Sequence, residues 1–517
     1  MKRLLMVVCA FWVPSVGMAE LAVEQVEVRE IRLIGPLLLP AKQVRQTVEP
    51  YEGRLVSFAE LITLRDELSR QVIAAGYISS GVVLPDQEII AGVVEYKFVS
   101  NRLSEIRISG VTERRQRSLR KLMDTELDGA LNVDRLNRAM RQVEQKPGVA
   151  YVQGKLTAGS RRGESALDLR VFPADTRTLN VTGNNYRSPS VGEDQGVVSY
   201  VDTDLLGYGD QREASIGAAS GVDSYALSYS VPLRNADRSL TFYWDQSDSD
   251  IVEAPFDRLD IETESSRYGA RLQFVLDRQA NQLLNGFIAV TGQKTQSKLL
   301  GQNFSFSPGE QDGESRSTSL SIGAELARQL GKNRFAWRAT LKRGLHVNGA
   351  TNNHDDIADG GYTAILMQAQ YVRDLSIWGS QLTVKSTLQH TEDALLPHVR
   401  IPLGGRHTVR GYRENQLVRD RVLMASVEWR IPMPEVPGRF TTNLFTDAGV
   451  ASNVETGFER NRTTDLSSIG IGFSWQTPIE GLNMEAHYAH AFRDFDSDES
   501  SLQGSGLHYQ LSYSYKF

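Results

Sequence analysis

The chain has 517 residues, a formal net charge of −6 at pH 7 and a mean hydropathy of −0.32. A chain of this length is too long to fold around a single compact core, and its negative net charge argues against a nucleic-acid partner. No run approaches the roughly 20 apolar residues that a membrane-spanning helix requires.

The N-terminal segment has the pattern of a secretory signal peptide. Lys2 and Arg3 precede an apolar run, 4–13, and a small-residue end that closes at Ala19. We therefore predict a signal peptide over 1–19; the apolar run is too short for an uncleaved anchor. The single cysteine, Cys9, lies inside it. The processed chain then contains no cysteine, which excludes disulfides and thiolate metal sites.

A repeat follows the signal peptide. The sequence EIRLIG that starts at Glu30 returns as EIRISG at Glu105, an offset of about 75 residues. The Gly53-Arg54-Leu55 stretch returns as Gly129-Ala130-Leu131, and each is expected to open a helix. The repeat predicts two units, 24–100 and 101–175, each with the order strand, helix, helix, strand, strand.

Capping signals support the helices of both units. Ser57 and Glu60 form the pattern of a capping box, and Asn132 is placed to cap a helix of the second unit. A small unit with an exposed strand edge accepts an extended peptide as an added strand. A spacer role for the two units is the alternative, and the repeat alone does not decide between them.

From about residue 176 the pattern changes to segments of roughly ten residues that alternate apolar and polar side chains. In the last segment Leu507, Leu511 and Tyr515 share one face, whereas His508 and Gln510 share the other. This alternation is typical of a transmembrane β-barrel, and it disfavours a soluble β-sandwich. We predict a membrane β-barrel of about 16 antiparallel strands, preceded by two periplasmic α+β domains. The strands are expected near 177–186, 196–206, 212–221, 224–233, 238–251, 264–279, 281–300, 315–329, 334–345, 361–375, 380–393, 421–433, 438–452, 465–478, 482–494 and 506–517.

The connection between the eleventh and twelfth strands, 394–420, is long for a hairpin loop and contains the sequence LGGRHTVRGYREN. A long loop within a compact domain is usually functional. With both ends of the barrel in the periplasm, this connection starts on the extracellular side.

Three motifs resemble one family. Gly76-Tyr77, followed by Pro85, Gln87 and Gly92, is similar to its first polypeptide-transport-associated (POTRA) domain. Val409-Arg410-Gly411-Tyr412 is similar to its loop tip, and the segment Phe445-Thr446-Asp447-Ala448-Gly449 is similar to its barrel-wall motif. The chain thus resembles the two-partner secretion transporters of the haemolysin-activator type, within the outer-membrane assembly-factor superfamily. The resemblance identifies 24–100 and 101–175 as POTRA domains and 176–517 as the barrel.

The resemblance implies a loop that folds back into the pore, with Arg410 pairing the wall residue Asp447. Strand alternation independently points Phe445 and Asp447 inward and leaves that carboxylate in need of a partner. The set of expected site residues comprises the tip Arg410, Gly411 and Tyr412, the supporting Gly404, Gly405 and Arg406, the wall residues Phe445, Asp447 and Gly449, and a lumen network of Glu428 and Arg430. The ring of Tyr412 is expected to pack while its hydroxyl stays in water.

The implied function is passive export: an unfolded exoprotein docks on the POTRA domains and threads the barrel. The expected partners are this large exoprotein, outer-membrane lipid and lipopolysaccharide; nucleic acid, metals and cofactors are not expected, and a monomer is the family expectation. The alternative is an outer-membrane protein assembly factor. The passenger remains open among adhesins, cytolysins, proteases and contact-inhibition toxins.

One departure concerns gating. Many family members carry a plug helix ahead of the first POTRA domain, whereas here the first strand is expected a few residues after Ala19. The segment 406–413 is then expected to gate the pore alone, or the pore to be leaky.

Other activities are less favoured by the sequence. A porin would not need the two units. An enzyme would need a serine elbow or a zinc motif, and Glu485 and His487, with His490 near, are interpreted as polar lumen lining. The Gly292-Gln293-Lys294-Thr295 stretch lacks the Gly-Lys pair of a phosphate-binding loop. The segment that starts at Asp494 lacks the glycine and the final glutamate of a calcium loop. Solvated loops explain it, as they explain Asp355, Asp356 and Asp359.

Overall fold

The computed structural model describes residues 25–207, 209–233, 237–353, 357–457, 462–495 and 501–517. The chain forms two compact units, Met1–Pro173 and Ala174–Phe517. The predicted signal peptide and Cys9 lie outside the described residues. None of the helices in the described ranges is long and apolar enough to cross a membrane.

The first half of the N-terminal unit is an α+β module whose helices cover one sheet. Val44, Leu64 and Leu68 of the helices pack against Val94 and Phe98 of the sheet in one buried cluster. The sheet order is β2-β5-β4, and β1 pairs separately with β3. The elements are β1 (Gln25–Val28), β2 (Glu30–Ile34), α1 (Ala41–Val48), β3 (Arg54–Ser57), α2 (Phe58–Ala74), β4 (Gly81–Val83) and β5 (Val93–Val99).

The second half repeats this plan around its own buried cluster, which contains Leu119, Met123, Leu136 and Leu167. Its sheet order is β6-β8-β7, with β6 parallel to β8 and β7 antiparallel to it. The elements are β6 (Arg102–Ser109), α3 (Glu113–Glu126), α4 (Val133–Glu144), β7 (Val149–Ala158) and β8 (Glu164–Pro173).

The expectation that helices open at Gly53 and Gly129 was wrong. Both glycines adopt positive φ in turns, and α2 and α4 begin only after Ser57 and Asn132. Ser57 and Glu60 form the complete capping box, and Asn132 accepts hydrogen bonds from the next turn of its helix. A side-chain acceptor is needed there because the first N–H groups of a helix have no intrahelical partner.

The second unit is a closed antiparallel barrel of sixteen strands, as the alternation predicted. The last strand, β27, pairs with the first, β9, so that the wall has no free edge. Three short strands, β16, β21 and β22, lie outside the sixteen. In chain order the strands are β9 (Arg177–Asn184), β10 (Gln195–Asp202), β11 (Gln211–Ala219), β12 (Val222–Pro232), β13 (Arg238–Asp250), β14 (Ile261–Gln279), β15 (Gln282–Leu299), β16 (Gln302–Asn303), β17 (Glu314–Leu330), β18 (Asn333–Leu345), β19 (Thr363–Asp374), β20 (Gln381–Thr391), β21 (Ile401–Leu403), β22 (Leu417–Arg419), β23 (Arg421–Met433), β24 (Arg439–Ser452), β25 (Thr464–Gln476), β26 (Leu482–Ala491) and β27 (Leu507–Lys516).

The two faces of the wall differ as the period-2 pattern requires. On β27, Leu511, Tyr513 and Tyr515 are exposed on the outer surface, whereas His508 is fully buried on the inner one. On β24, Leu444 is exposed outward while Asn443 and Asp447 are buried. Because Asn443 and Asp447 are buried on the inner face of β24, their polar groups need hydrogen-bond partners inside the barrel.

Candidate functional site: the loop inside the barrel

The connection from β20 to β23 is clamped at its base by a buried ion pair. Nε of Arg400 lies 3.0 Å from Oδ1 of Asp420, and both side chains are buried. The same carboxylate accepts hydrogen bonds from the backbone N–H groups of Leu395 (3.1 Å) and Val454 (2.8 Å). The two ends of the loop are thus held together beside β24, so that the segment between them projects as one piece.

The projecting segment is a hairpin formed by β21 and β22, with residues 404–416 at its tip. Gly404 and Gly405 have φ values of +109° and +103°, which residues with a Cβ rarely adopt. Gly449 on the wall allows the hairpin to pack closely against β24, because a Cβ at this position would lie 2.7 Å from the Leu403 side chain. Leu403 packs with Val409 in a buried cluster between the hairpin and the wall.

At the tip, Arg410 meets Asp447 of β24. Its Nε and Nη2 donate to the two carboxylate oxygens at 2.8 and 2.9 Å, and its backbone N–H donates to Oδ2 at 3.1 Å. The arginine side chain is 4% exposed and the aspartate 0%. A planar guanidinium suits this two-pronged geometry, whereas a lysine ammonium does not.

Three further wall groups complete the surroundings of Arg410. Nη1 donates to Glu428 at 2.6 Å and Nη2 to Ser426 at 3.2 Å, and the guanidinium carbon lies 3.4 Å from the centroid of the Phe445 ring. Arg430 donates to the other oxygen of Glu428 at 2.5 Å. Two arginines therefore face two carboxylates. Removing one member of such a buried network leaves an uncompensated charge, at a cost of about 3–5 kcal/mol.

Phe445 has room for its ring because the neighbouring strand carries glycine. A Cβ at Gly470 would lie 2.3 Å from that ring, and a Cβ at Gly472 would lie 2.2 Å from the His487 ring. The glycines on the inner face of β25 thus admit the large side chains of β24 and β26. This packing partner was missed at the sequence level, because alternation says which face a residue occupies but not what lies opposite.

The expectation of a solvated Tyr412 hydroxyl was wrong. The side chain is 4% exposed, and its hydroxyl donates to the carbonyl of Ser467 at 2.9 Å. It also accepts from the N–H groups of Ser467 (3.3 Å) and Arg493 (3.2 Å). Tyr412 therefore binds the ends of β25 and β26, and the adjacent Gly411, at φ +91°, lets the tip approach Ala489 of the wall.

Arg406 forms a second anchor on another part of the wall. It pairs with Glu485 on β26, and its Nε donates to the Tyr186 hydroxyl at 3.3 Å. Glu485 also bonds Nε2 of His487 at 2.7 Å. His490, by contrast, is exposed on the outer side of the same strand. Glu485 and His487 thus belong to the loop's binding surface, and the sequence held no signal for the contact with Tyr186.

Beyond the tip, the lumen holds a cavity of about 550 Å³. Its walls come from β15, β17 to β20 and β23, and the loop contributes residues 406–408 and 410. The anchored loop thus occupies one side of the lumen and leaves free volume on the other.

The motif residues of the first module have structural positions. Gln87 forms two hydrogen bonds with the backbone of Glu95, at 2.7 and 2.8 Å, which continue the pairing of β5 beyond the short strand β4. The same side-chain amide donates to the carbonyl of Pro85 at 3.2 Å. Gly92 has φ +75°, and its carbonyl accepts from the N–H of Arg29 at 2.8 Å.

Gly76 and Tyr77 lie where the two modules of the N-terminal unit meet. The Gly76 carbonyl accepts from Val133 at 2.9 Å, and Asn132 donates to the Ala75 carbonyl at 2.9 Å. A Cβ at Gly76 would lie 2.9 Å from the Asn132 amide, so glycine permits this joint. Tyr77 packs against the core of the first module.

The acidic clusters that the sequence analysis interpreted as solvated loops form few contacts among the described residues. Asp359 bonds His346 at 3.0 Å, whereas Asp355, Asp356 and most of the acidic segment after Asp494 lie outside the described residues. Among the residues that are described, no group of three or more His, Cys, Asp or Glu is arranged to hold a metal ion.

Comparison with known proteins places this geometry in context. Residues 163–475 match the family described as haemolysin secretion/activation protein ShlB/FhaC/HecB, and residues 26–99 match the POTRA domain of ShlB type. The outer membrane transporter CdiB of Dickeya dadantii (strain 3937) is 25% identical over 449 residues, which cover 81% of this chain and 75% of that protein. The heme/hemopexin transporter protein HuxB of Haemophilus influenzae (strain ATCC 51907 / DSM 11121 / KW20 / Rd) is 23% identical over 214 residues, 38% of each chain.

Two solved structures share the fold. CdiB from Escherichia coli superposes with a TM-score of 0.63 at 18% identity, covering 98% of this chain and 93% of that one. BamA from Haemophilus ducreyi lacking POTRA domains 1–3 superposes with a TM-score of 0.60 at 16% identity, covering 95% and 100%. At these identities the likeness concerns the fold alone.

Proposed function

The chain belongs to the haemolysin secretion/activation family ShlB/FhaC/HecB, and from this premise we propose that the anchored loop 394–420 is the gate of its export pore. The family consists of outer-membrane transporters that work in two-partner secretion. This protein accordingly resides in the outer membrane, with its POTRA domains in the periplasm, and exports a large secreted partner protein through the barrel.

The observation that carries the proposed gate is the buried network of Arg410 with Asp447 and Glu428. It holds a glycine-rich tip against the inner wall, at a place where a translocating chain must pass. An unfolded chain needs a continuous passage, so we propose that the network opens and the tip shifts during export. The buried pair favours one resting position of the loop, because separating Arg410 from Asp447 would leave two buried charges without their partners.

The edges of the module sheets are the proposed docking sites for the partner. In the sheet order β6-β8-β7, β7 is an edge strand of ten residues, whereas the edge strand β4 has three. An extended peptide added to β7 would gain a long ladder of backbone hydrogen bonds. Polar side chains such as Asn285, Gln368 and Thr387 line the lumen cavity, and a polar lining favours sliding over binding.

The same proposal covers the lipid surroundings of the barrel, its oligomeric state and the kind of activity. The outward apolar band of the barrel contacts outer-membrane lipid and lipopolysaccharide, and the protein acts as a monomer. Transport rather than turnover is the activity, since Glu485 is engaged by both Arg406 and His487. No cofactor and no nucleic acid takes part in this scheme.

The experiment is secretion of the genetically adjacent large exoprotein by Arg410→Ala and Asp447→Ala variants, at matched outer-membrane levels. We expect both variants to assemble but to leave the exoprotein in the periplasm, because each variant leaves a buried charge without its partner. Arg334→Ala and Asp374→Ala form the matched control: that pair is also close, at 2.7 Å, but half-exposed. Normal export by both tip and wall variants would contradict the proposed gate.

An assembly factor that inserts other outer-membrane proteins is the alternative use of this fold. It predicts that deleting the gene lowers the amounts of unrelated porins. A transporter dedicated to one partner predicts unchanged porins and a periplasmic passenger, so quantitative proteomics of outer membranes separates the two.

A further inference from the structure

One part of the inner wall of the barrel carries an excess of positive charge. On the seven barrel strands from β13 to β20, the side chains exposed on the outer surface include Phe242, Tyr268 and Leu341. The residues that alternate with them face the lumen. Between the rims, the charged side chains on these inner faces are Asp245, Arg267, Arg271, Glu325, Arg338, Lys342 and Lys385. Five cations thus face two carboxylates, and we call this part of the wall the basic sector.

The two carboxylates of the basic sector neutralise only part of its charge. Asp245 pairs with Arg267, with Nε of the arginine 2.9 Å from Oδ2. Glu325 is shared: Nε of Arg338 lies 2.7 Å from its Oε1, and Arg271 binds the same oxygen. Because one carboxylate serves two guanidinium groups, this cluster keeps one positive charge in excess.

The two lysines of the basic sector have no partner of opposite charge to themselves. Neither Lys342 nor Lys385 forms an ion pair or a hydrogen bond with a described residue. Lys342 has no carboxylate among its charged neighbours. Lys385 lies near Glu428, but that carboxylate already binds Arg410 and Arg430. Both ammonium groups therefore add their charge to the lumen.

The other charges of the lumen are largely paired. Four ion pairs involve the loop or the wall beside it: Arg406 with Glu485, Arg410 with Asp447, Arg413 with Glu253 and Arg430 with Glu428. At the periplasmic rim Arg334 pairs with Asp374. Outside these pairs are Glu213 of β11, Glu414 of the loop and Arg187 beyond β9. The excess of cations therefore belongs to the basic sector.

The basic sector borders the free volume of the pore. Arg338 and Lys385 line the cavity of about 550 Å³ beside the loop tip. A second cavity, of about 460 Å³, is lined by Arg267 together with Asp245. The space that the loop leaves open thus passes the excess cations. Arginine and lysine linings select anions in pores, because a cleft of one sign concentrates ions of the opposite sign.

We propose that the resting pore conducts small anions in preference to small cations, and that Lys342 and Lys385 set this selectivity. The ligand class is a small hydrated anion, for which chloride is the probe. The selectivity needs the barrel and its free volume but no movement of the loop, so it goes beyond the proposed gate and does not depend on it.

The test measures the reversal potential of the full-length protein in planar bilayers under an about tenfold KCl gradient. We expect chloride to permeate about threefold or more better than potassium. Lys342→Gln with Lys385→Gln should bring the permeability ratio close to one, because three cations then face two carboxylates. Lys342→Glu with Lys385→Glu should reverse the preference, because four carboxylates then face three cations.

The matched control is Lys42→Glu with Lys97→Glu on the first module, outside the barrel. It changes the total charge by the same amount and should keep the selectivity of the intact protein. The charge-keeping variant Lys342→Arg with Lys385→Arg should also keep it, whereas a role that depends on the shape of lysine would not survive this exchange.

A salt series separates electrostatic selection from selection by size. The preference for chloride should weaken when the mean salt concentration rises from about 0.1 M to about 1 M, because the screening length falls from about 10 Å to about 3 Å. Size selection does not respond to salt in this way. The series uses the intact protein, so it tests the proposal even where the reversed variant fails to assemble.

Three results would overturn the proposal: cation preference or no ionic current in the intact protein, a preference that salt leaves unchanged, and equal selectivity in the intact protein and the assembled reversed variant. Export separates this proposal from the proposed function. If Arg410→Ala and Asp447→Ala export normally while the reversed variant prefers potassium, the gate fails and the selectivity stands. If both block export while the reversed variant keeps its chloride preference, the selectivity fails and the gate stands.

Discussion

Arg410 shows how much one side chain contributes at the scale of a residue. Two bonds to Asp447, one each to Glu428 and Ser426 and the Phe445 ring below it all depend on the planar guanidinium. The motif and the strand alternation predicted that Arg410 pairs with Asp447, and the two-pronged contact depends on the shape of the guanidinium as well as on its charge. A substitution that keeps the charge and changes the shape therefore separates the two contributions.

Arg410→Lys keeps the charge and removes the fork. We expect the tip to open more often, with hydrogen exchange of residues 404–416 faster by about tenfold or more, because lysine cannot replace the bidentate and stacked contacts. Hydrogen-exchange mass spectrometry of the full-length protein measures this. Arg334→Lys, at an exposed pair, serves as the control, and equal exchange in both variants would mean that charge alone holds the tip.

Helix α2 illustrates the scale of an element. Its start is determined by Ser57, which accepts from the N–H of Glu60, while the Glu60 carboxylate accepts from the N–H of Ser57 at 2.8 Å. That backbone bond, with the hydrogen bond from Arg54, lowers the pKa of Glu60 to about 2. Local sequence predicted the box because all of its partners lie within a few residues.

The capping box gives a pH-dependent prediction. The pKa of Glu60 is lower in the folded state than the usual 4.5, so its contribution is present above pH 4.5 and is lost as the pH falls towards 2. Glu60→Gln should therefore lower the melting temperature of the 222 nm signal at pH 7 and have little effect near pH 2. Ser57→Ala should cost about 1 kcal/mol at pH 7. The exposed Glu88→Gln is the control, and a difference that persists at pH 2 would contradict this account.

The whole molecule combines a wide barrel with a loop that fills part of it. A closed wall of sixteen strands leaves an aqueous channel unless something occupies it. The hairpin of β21 and β22 occupies it here, held at its base by Arg400 and Asp420 and at its tip by Arg410 and Arg406.

Replacing residues 404–416 by a short Gly–Ser linker should enlarge the open channel. We expect higher single-channel conductance in planar bilayers and passage of larger solutes, because the tip and the wall contacts of Arg406, Arg410 and Tyr412 are removed together. The same replacement of the periplasmic turn 434–438 should leave conductance unchanged. Conductance equal to that of the intact protein in the loop variant would mean that the tip does not restrict the pore.

The sequence by itself determined the features that repeat over short distances: sixteen alternating strands, two capped α+β modules and a glycine-rich loop at a known position in the chain. It also indicated that Arg410 and Asp447 are partners, because strand alternation placed the Asp447 carboxylate inside the barrel and the family resemblance implied that Arg410 pairs with it. Only the tertiary structure decided where the Tyr412 hydroxyl is buried, that Arg406 meets Tyr186 and Glu485, and that Gly470 makes room for Phe445. Those contacts join residues that are distant along the chain, and periodicity says which way a side chain faces but not which side chain it meets. The closure of the barrel brings these partners together.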